Sequence, residues 1–261
     1  MMLIDIGANL THDTFTDDFD EVLSQARNKH VKKMIVTGAS VQGSQEAVNL
    51  AKGYPGLLFA TAGIHPHHAE QTNEQSLELL RLLSQSPEVK AIGETGLDFF
   101  RDFTPRETQM RSFEAHIELA IDAKLPMFLH ERDAHPGFRD ILAPHRHRLA
   151  GVVVHCFTGE ADALAAYIDL DCHIGITGWI CDERRGKHLL PLIKEIPDNR
   201  LLIETDAPYL LPRTIKPKPK TRRNEPKYLP YVCQFIADLL ETSFDEVAQR
   251  TSHNATNLFD L

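Results

Sequence analysis

Eight short apolar runs, rich in β-branched residues, are spaced along the chain and constrain its fold more than any other feature. Segments of helical length separate them, with apolar residues at helical spacing, as at Phe19, Val22, Leu23 and Ala26. Strands that alternate with helices form parallel sheets, and eight such units close into a (β/α)8 TIM barrel. The predicted strands span residues 3–6, 33–36, 58–62, 89–93, 126–130, 151–155, 172–176 and 201–204.

The overall composition suits one barrel domain over residues 1–261, since α/β barrels commonly have this length and 42% of the residues are hydrophobic. No stretch reaches the ~20 apolar residues of a membrane span, and the first residues lack the basic and apolar parts of a signal peptide. The four cysteines form no CxxC pair, which predicts reduced thiols rather than disulfides. We therefore expect a cytoplasmic protein that does not enter membranes, with a monomer as the default state.

Four of the predicted strands end in a side chain that can bind a metal: Glu94, His130, His155 and Asp206. A parallel barrel collects the carboxyl ends of its strands at one mouth, so these distant residues can surround a single ion. Two imidazoles and two carboxylates suit Zn, Mn or Mg, and a metal-bound water is a usable nucleophile near neutral pH. A lone residue of this kind is more often structural, but four at equivalent positions predict a metal site and a hydrolytic reaction.

Side chains behind the predicted ligands follow from the alternation along each strand. Glu204 shares a face with Asp206 and lies one layer deeper, while Asp5, Gly7 and Asn9 share a face of the first strand and its exit. We therefore expect Asp5, Asn9 and Glu204 to support the metal ligands from behind, for example by orienting an imidazole through its other nitrogen.

Charge is distributed unevenly along the chain. The net charge of -9 argues against a protein that coats nucleic acid through bulk electrostatics. The stretch from Arg213 to Lys227 nevertheless contains seven cations and a single acid, Glu225, and we predict a long loop over the mouth that can meet an anionic substrate. Asn224 and Pro226 predict a helix start at the end of this loop.

Seven short motifs, spread over essentially the whole chain, carry a family resemblance: AGIHP at 62–66, IGETGLD at 92–98, HERDAH at 130–135, HCFTG at 155–159, GITGW at 175–179, ETDAPY at 204–209 and RNEP at 223–226. In these motifs the chain resembles the TatD-type deoxyribonucleases, which are metal-dependent hydrolases on a TIM barrel related to the amidohydrolases. The segment at 179–186 is similar to that of the member after which the family is named.

The resemblance implies a divalent-metal-dependent 3′ to 5′ exonuclease that acts on single-stranded DNA or 3′ ends, with RNA as a further substrate, and releases 5′-mononucleotides. A role in DNA repair or degradation goes with this activity. The family's metal ligands map onto the same four residues at the strand ends. Among them, Glu94 and Asp206 would be catalytic, with Asp206 serving either as a ligand or as the base that receives the proton of the water.

One departure from the family concerns the number of metal ions. Most relatives carry a His-x-His pair at the end of the first strand, where this chain has Gly7 and Asn9. Gly has no donor atom and Asn offers only a weak amide oxygen. We therefore predict one well-occupied ion, in the first place Mg with Mn or Zn as alternatives, and a second ion that is weak or arrives with the substrate phosphate.

The resemblance also suggests substrate contacts at His65, Arg132, Trp179 and Arg223. His65 would lie near the substrate phosphate, or it caps a turn. The guanidinium of Arg132 suits a phosphate, or forms a salt bridge with a nearby aspartate. The indole of Trp179 stacks on an unpaired base, or packs in the core. Arg223 would stabilise charge on the phosphate.

Two other functions are compatible with these residues. A hydrolase of amides, lactones or aminoacyl esters would use the same water-on-metal chemistry, because the fold does not determine the substrate. A non-catalytic binding protein would keep the barrel and use its basic loop. The basic loop and the aromatic residues after the fourth strand, Phe99, Phe100 and Phe103, favour a polyanion over a carbonyl substrate. Four converging ligands weigh against a pure binding protein.

Overall fold

The computed structural model describes residues 2–261, and it contains the predicted barrel of parallel strands. Eight strands pair in chain order in one sheet. They are β1 (Leu3–Ala8), β2 (Val31–Val36), β3 (Leu58–Ala62), β4 (Val89–Asp98), β5 (Met127–Arg132), β6 (Val152–Val154), β7 (His173–Ile176) and β8 (Leu201–Ile203). The sheet closes where Ala8 bridges Ala207 in parallel, and the Asp206 amide donates to Gly7 O at 2.8 Å beside this bridge.

Helices alternate with the strands and cover the outside of the barrel. They are α1 (Phe19–Asn28), α2 (Val41–Gly53), α3 (Glu74–Leu83), α4 (Arg106–Ala123), α5 (His135–Leu142), α6 (Ala161–Asp169), α7 (Leu189–Leu192), α8 (Leu229–Leu240) and α9 (Phe244–Phe259). The long loop after β8 reaches Glu225, and a short 3-10 turn at Pro226–Tyr228 leads into α8. None of the helices within residues 2–261 combines the length and apolar content that crossing a bilayer requires.

The strand β4 is longer than the sequence predicts. Its apolar run ends at Gly93, but pairing with β5 continues until Asp98 lies opposite Arg132, beyond a register shift between Ile92 and Thr95. Gly96 has φ +135°, and a Cβ at this position would overlap His130 O of the neighbouring strand. Glycine is therefore required at position 96 for β4 and β5 to stay paired next to the predicted ligands.

Two apolar layers hold the barrel together. The larger one lies between the strands and the surrounding helices. The smaller one fills the barrel interior with Ile4, Ile6, Ile35, Ala91, Phe128, Val153 and Leu202, and Ala255 and Phe259 of α9 pack against it. At the upper end of this interior, the Phe128 ring stacks on His155 at 4.3 Å between centroids. The mouth therefore has a rigid apolar floor, and polar groups begin directly above it.

Candidate metal centre at the mouth of the barrel

The carboxylate of Glu94 contacts three imidazoles at the mouth of the barrel. Glu94 belongs to β4 and His130 to β5, while His155 directly follows β6 and His65 lies in the loop after β3. Glu94 Oε1 is 2.8 Å from Nε2 of His155 and 3.0 Å from Nδ1 of His130. The same oxygen is 3.4 Å from Nε2 of His65. Three imidazoles thus share one oxygen of Glu94, which lies within β4 and not at its end as the sequence predicts.

The charges of this cluster depend strongly on one another. Burial raises the pKa of Glu94, but the neighbouring imidazoles of His155 and His65 outweigh burial and hold this pKa well below its usual range. Burial lowers the pKa of His155, but the Glu94 carboxylate holds it well above the ordinary value. For His130, the contacts with Asp98 and Glu94 overcome burial and raise the pKa to about 8. The buried carboxylate thus requires positive charge around it, from protons or from a cation.

These residues fit a divalent metal ion. His65, Glu94 and His130 each offer a ligand atom, and these atoms all lie within 4.8 Å of one another. Nε2 of His130 is buried and has no hydrogen-bond partner among residues 2–261, although it lies 3.4 Å from Asp98 Oδ2. Imidazole nitrogen and carboxylate oxygen are ligands of Zn, Mn and, for the carboxylate, Mg. His65 thus belongs to the group of three possible ligands, although the sequence assigns it to the substrate phosphate.

Asp206 is the fourth predicted ligand, and it follows β8 at the same mouth. Its hydrogen-bonding partner is the amide of Asn9, whose Nδ2 donates to Asp206 Oδ1 at 3.0 Å. Burial raises the pKa of Asp206 to about 7, the His155 imidazole opposes this shift, and the negative charges of Glu94 and Glu204 add to it. Asp206 is thus electrostatically coupled to the cluster without touching an imidazole. Asn9 thus contacts the Asp206 carboxylate.

Glu204 lies beneath the cluster and is completely buried. Its Oε2 is 3.3 Å from Nδ1 of His155, and its Oε1 accepts a hydrogen bond from the Cys156 amide at 2.6 Å. This carboxylate therefore faces the second nitrogen of the His155 imidazole, whose Nε2 faces Glu94. A Cβ at Gly7 would overlap Glu204 Oε2, so a larger residue at position 7 would require Glu204 to move.

Asp5 does not reach an imidazole. Its carboxylate accepts hydrogen bonds from the amide of Thr205 at 2.9 Å and from the Thr205 hydroxyl at 2.5 Å. Burial raises the pKa of Asp5 to about 7, although the Thr205 hydrogen bonds lower it. Because β1 and β8 are neighbours in the closed barrel, Asp5 holds the backbone that carries Asp206 rather than a ligand side chain.

A second carboxylate, Asp98, joins two histidines next to the cluster, and the sequence does not single out this contact. Nε2 of His67 is 2.7 Å from Asp98 Oδ2, the oxygen that also faces His130. Burial raises the pKa of Asp98, but its contacts with His130, Arg101 and His67 outweigh burial and lower it well below its usual range. The register of β4 against β5 puts Asp98 four residues beyond Glu94 along the same mouth, a position that depends on the unpredicted extension of β4.

Arg132 and Trp179 lie side by side at the edge of the mouth. The guanidinium of Arg132 is 5.0 Å from the centroid of the Phe100 ring and 4.8 Å from that of Trp179. On the indole of Trp179 a second guanidinium, that of Arg185, lies at 4.2 Å. We call Phe100, Arg132, Trp179 and Arg185 the stacked row. Nη1 of Arg132 donates to the Thr158 hydroxyl at 2.8 Å, and its Nε forms a long ion pair with Asp133 Oδ1 at 3.8 Å.

Arg223 is engaged by acceptors of the protein itself. Its guanidinium binds both oxygens of Asp18 at 2.9 and 2.5 Å and Oε1 of Glu225 at 3.1 Å, and it donates to Thr14 O at 2.6 Å. Asn224 is buried, its Nδ2 donates to Thr205 O, and its Oδ1 accepts from the Glu225 amide. The short helix at Pro226 begins as the sequence predicts, but its N-cap is Glu225 and not Asn224. The end of the long loop is therefore fastened to β8 and to the loop after β1.

Known proteins are similar to this chain over almost its whole length. The sequence profile of the family described as TatD related DNase matches residues 4–260. Two relatives bear the name 3′-5′ ssDNA/RNA exonuclease TatD: one from Pantoea vagans is 46% identical and one from Edwardsiella piscicida 48%, each covering 99% of this chain and 100% of the relative. A crystal structure of a TatD homologue from Escherichia coli has a TM-score of 0.90 and 30% identity, covering 99% of this chain and 98% of its own.

Proposed function

The chain belongs to the family of TatD related DNases, and from this membership we propose that it is a divalent-metal-dependent hydrolase that removes nucleotides from the 3′ end of single-stranded DNA and RNA. The full-length relatives at 46–48% identity carry the name of this activity. The structural observation that supports it is the Glu94 carboxylate, which brings together three imidazoles from separate strand ends at an open mouth.

The proposed ligands of the ion are Glu94, His130, His155 and Asp206, with His65 close enough to join them. When bound there, a divalent ion lowers the pKa of a water molecule and offsets the negative charge of a phosphodiester. Glu204 keeps the His155 ring in place through its Nδ1, so that Nε2 points into the mouth. The His130 ring lies between two carboxylates, with Glu94 at Nδ1 and Asp98 3.4 Å from Nε2.

Proton transfer and charge stabilisation fall to two other side chains. Asp206 is the carboxylate at the mouth without an imidazole contact, and it receives the proton of the attacking water. The water oxygen bonds to phosphorus as the bond to the 3′ oxygen of the preceding nucleotide breaks. That oxygen takes up the proton from Asp206, and the terminal nucleotide leaves with its 5′ phosphate. The Arg132 guanidinium, whose Nε makes no hydrogen bond within residues 2–261 and lies 3.8 Å from Asp133 Oδ1, would bind the phosphate oxygens.

We assign Mg to the site and expect one well-occupied ion. Gly7 supports a single ion, because it has no side chain to bind a second one and the Glu204 carboxylate fills the space where a side chain would begin. For location we propose the cytoplasm, where the thiols of Cys156, Cys172, Cys181 and Cys233 would stay reduced, as they are here. A monomer and a role in repair or degradation of DNA complete the proposal.

The test is hydrolysis of a single-stranded DNA oligonucleotide labelled at its 5′ end, with Mg or Mn added back after chelation. The wild type should give a ladder that shortens from the 3′ end, and Glu94→Ala and His155→Ala should lower the rate by at least about 1000-fold, because each removes a proposed ligand. Glu114→Ala is the matched control, since Glu114 is exposed on α4. Intact DNA with every metal, while calorimetry still detects metal binding, would overturn the nuclease and favour aminoacyl esters or lactones as substrates.

A further inference from the structure

A large basic cleft lies beside the mouth, between the loop after β7 and the long loop after β8. Its volume is about 710 Å³, within the range of ligand-binding clefts. We define the basic cleft by its six cations: Arg184, Arg185, Arg213, Lys218, Lys220 and Arg222. Two carboxylates, Asp182 and Glu183, are the acidic groups of its lining. In a protein with a net charge of -9, this surface has the opposite sign to the whole.

The cations of the basic cleft divide into a fixed group and a free group. Asp182 is buried and binds Arg185 at 2.9 Å, and Glu183 binds Arg213 at 2.9 Å. Lys218, Lys220 and Arg222, in contrast, are exposed, and no carboxylate among residues 2–261 lies within 4.0 Å of their charged atoms. Three full positive charges thus face the solvent without a protein partner. Such charges favour an anionic ligand with several charges in a row.

The stacked row joins the basic cleft to the metal centre. Arg132 lies two residues beyond His130 on the mouth side, and Arg185 belongs to the cleft, with the Trp179 indole in contact with both guanidiniums. The exposed Phe100 ring extends the row on the other side of Arg132. A path of guanidiniums and aromatic rings therefore runs from the metal centre into the cleft. Phosphates and bases are the groups that such a surface binds.

Two other clefts at the loops do not offer this complementarity. The cleft between the loops after β5 and β6 contains Glu131, Asp133, Glu160 and Asp162 in its lining and would repel a polyanion. The groove along the loop after β1 has neither Lys nor Arg in its lining. The basic cleft is thus the exit of the mouth whose charge suits a nucleic-acid strand.

We propose that the basic cleft binds the phosphodiester backbone of a single strand on the 5′ side of the nucleotide being removed. This inference rests on the proposed function, because a 3′ exonuclease places the terminal nucleotide at the metal centre and the remaining strand must leave the mouth. Arg132 and Arg185 guide the strand past Trp179, and Lys218, Lys220 and Arg222 bind its phosphates. Long substrates consequently bind more tightly than a dinucleotide, and the difference depends on salt.

The test compares the wild type with the triple variant Lys218→Gln, Lys220→Gln, Arg222→Gln on a long oligothymidylate and on a thymidine dinucleotide. For the long substrate we expect KM to rise about tenfold at low salt, with kcat nearly unchanged, since exposed ion pairs are individually weak. The slope of log KM against log salt should fall by about 2, at ~0.7 per lost phosphate contact. Hydrolysis of the dinucleotide should stay as in the wild type.

The matched control is the triple variant Arg27→Gln, Lys29→Gln, Lys52→Gln, which removes the same charge from exposed residues at the carboxyl ends of α1 and α2, away from the mouth. An equal change of KM in both triple variants, or none in either, would overturn the role of the basic cleft. If the wild type hydrolyses neither substrate, the proposed function fails, and fluorescence anisotropy with labelled oligothymidylate still decides whether the cleft binds a strand.

Discussion

The two sides of the mouth are built in different ways. On the side of β3 to β6, Glu94, Asp98 and the histidines are buried or half-buried and bind one another. On the side of β7 and β8, the basic cleft stands on exposed loops, and three of its six cations have no carboxylate within 4.0 Å among residues 2–261. The first side has fixed geometry because its strands are paired and its carboxylates and imidazoles contact one another. The second side offers charge rather than fixed geometry, which suits a flexible polyanion of variable sequence.

The largest effect should come from breaking the fixed side at Gly96. In Gly96→Ala the new Cβ would overlap His130 O at a backbone conformation that suits glycine, so β4 and β5 would separate beside the metal ligands. We expect a loss of more than about 3 kcal/mol in the free energy of unfolding, measured by urea denaturation, together with loss of hydrolysis.

Gly53→Ala is the control for this substitution, because no atom lies within 4 Å of a Cβ at the end of α2. It should leave stability unchanged or raise it by up to about 0.5 kcal/mol. Comparable loss of stability in both variants would mean that the close approach of β4 and β5 is not what requires glycine.

The second largest effect is a dependence of stability on pH, which comes from His116 next to the fixed side. His116 of α4 is completely buried, accepts a hydrogen bond from the Ile64 amide at 3.1 Å, and faces Ser112 O at 2.7 Å. Burial lowers the pKa of His116 to about 4, although the hydrogen bond to Ser112 raises it. The unfolded chain therefore takes up a proton near pH 6.5, before the folded one does. The stabilising contribution is complete above pH 6.5 and disappears as the pH falls towards 4.

The expected size of this contribution is about 3 kcal/mol. Urea denaturation between pH 7 and pH 4 should show the wild type losing about that much more stability than His116→Gln, which can still accept from the Ile64 amide but does not titrate. His68→Gln, at an exposed histidine, is the control and should follow the wild type. Parallel pH curves for wild type and His116→Gln would contradict a buried neutral imidazole.

The sequence predicts the fold better than it predicts the contacts at the mouth. The eight strands, the parallel barrel and the family are confirmed, because apolar periodicity and strand-end motifs are local properties. The contact of His67 with Asp98 escapes prediction, since it depends on the register shift that lets β4 continue past Gly93. The stacked row also escapes it, because loops that are far apart in sequence bring Trp179 to Arg132. Contacts of this kind depend on loop paths and rotamers that no local pattern encodes.

The smallest expected effect is that of Arg223→Lys, which tests whether Arg223 holds the loop after β8 in place or binds the substrate. The sequence assigns this residue to the phosphate, but its guanidinium holds Asp18, Glu225 and Thr14 O in the structure. Lysine cannot bind both oxygens of Asp18 in the same planar way, so Arg223→Lys should cost about 1 kcal/mol in the free energy of unfolding and change kcat/KM less than twofold. Arg27→Lys, which keeps the charge at an exposed site near the end of α1, should change neither quantity. Unchanged stability with a raised KM in Arg223→Lys would mean that Arg223 binds the substrate phosphate. The ion pair with Asp18 would then contribute little to holding the loop after β8 in place.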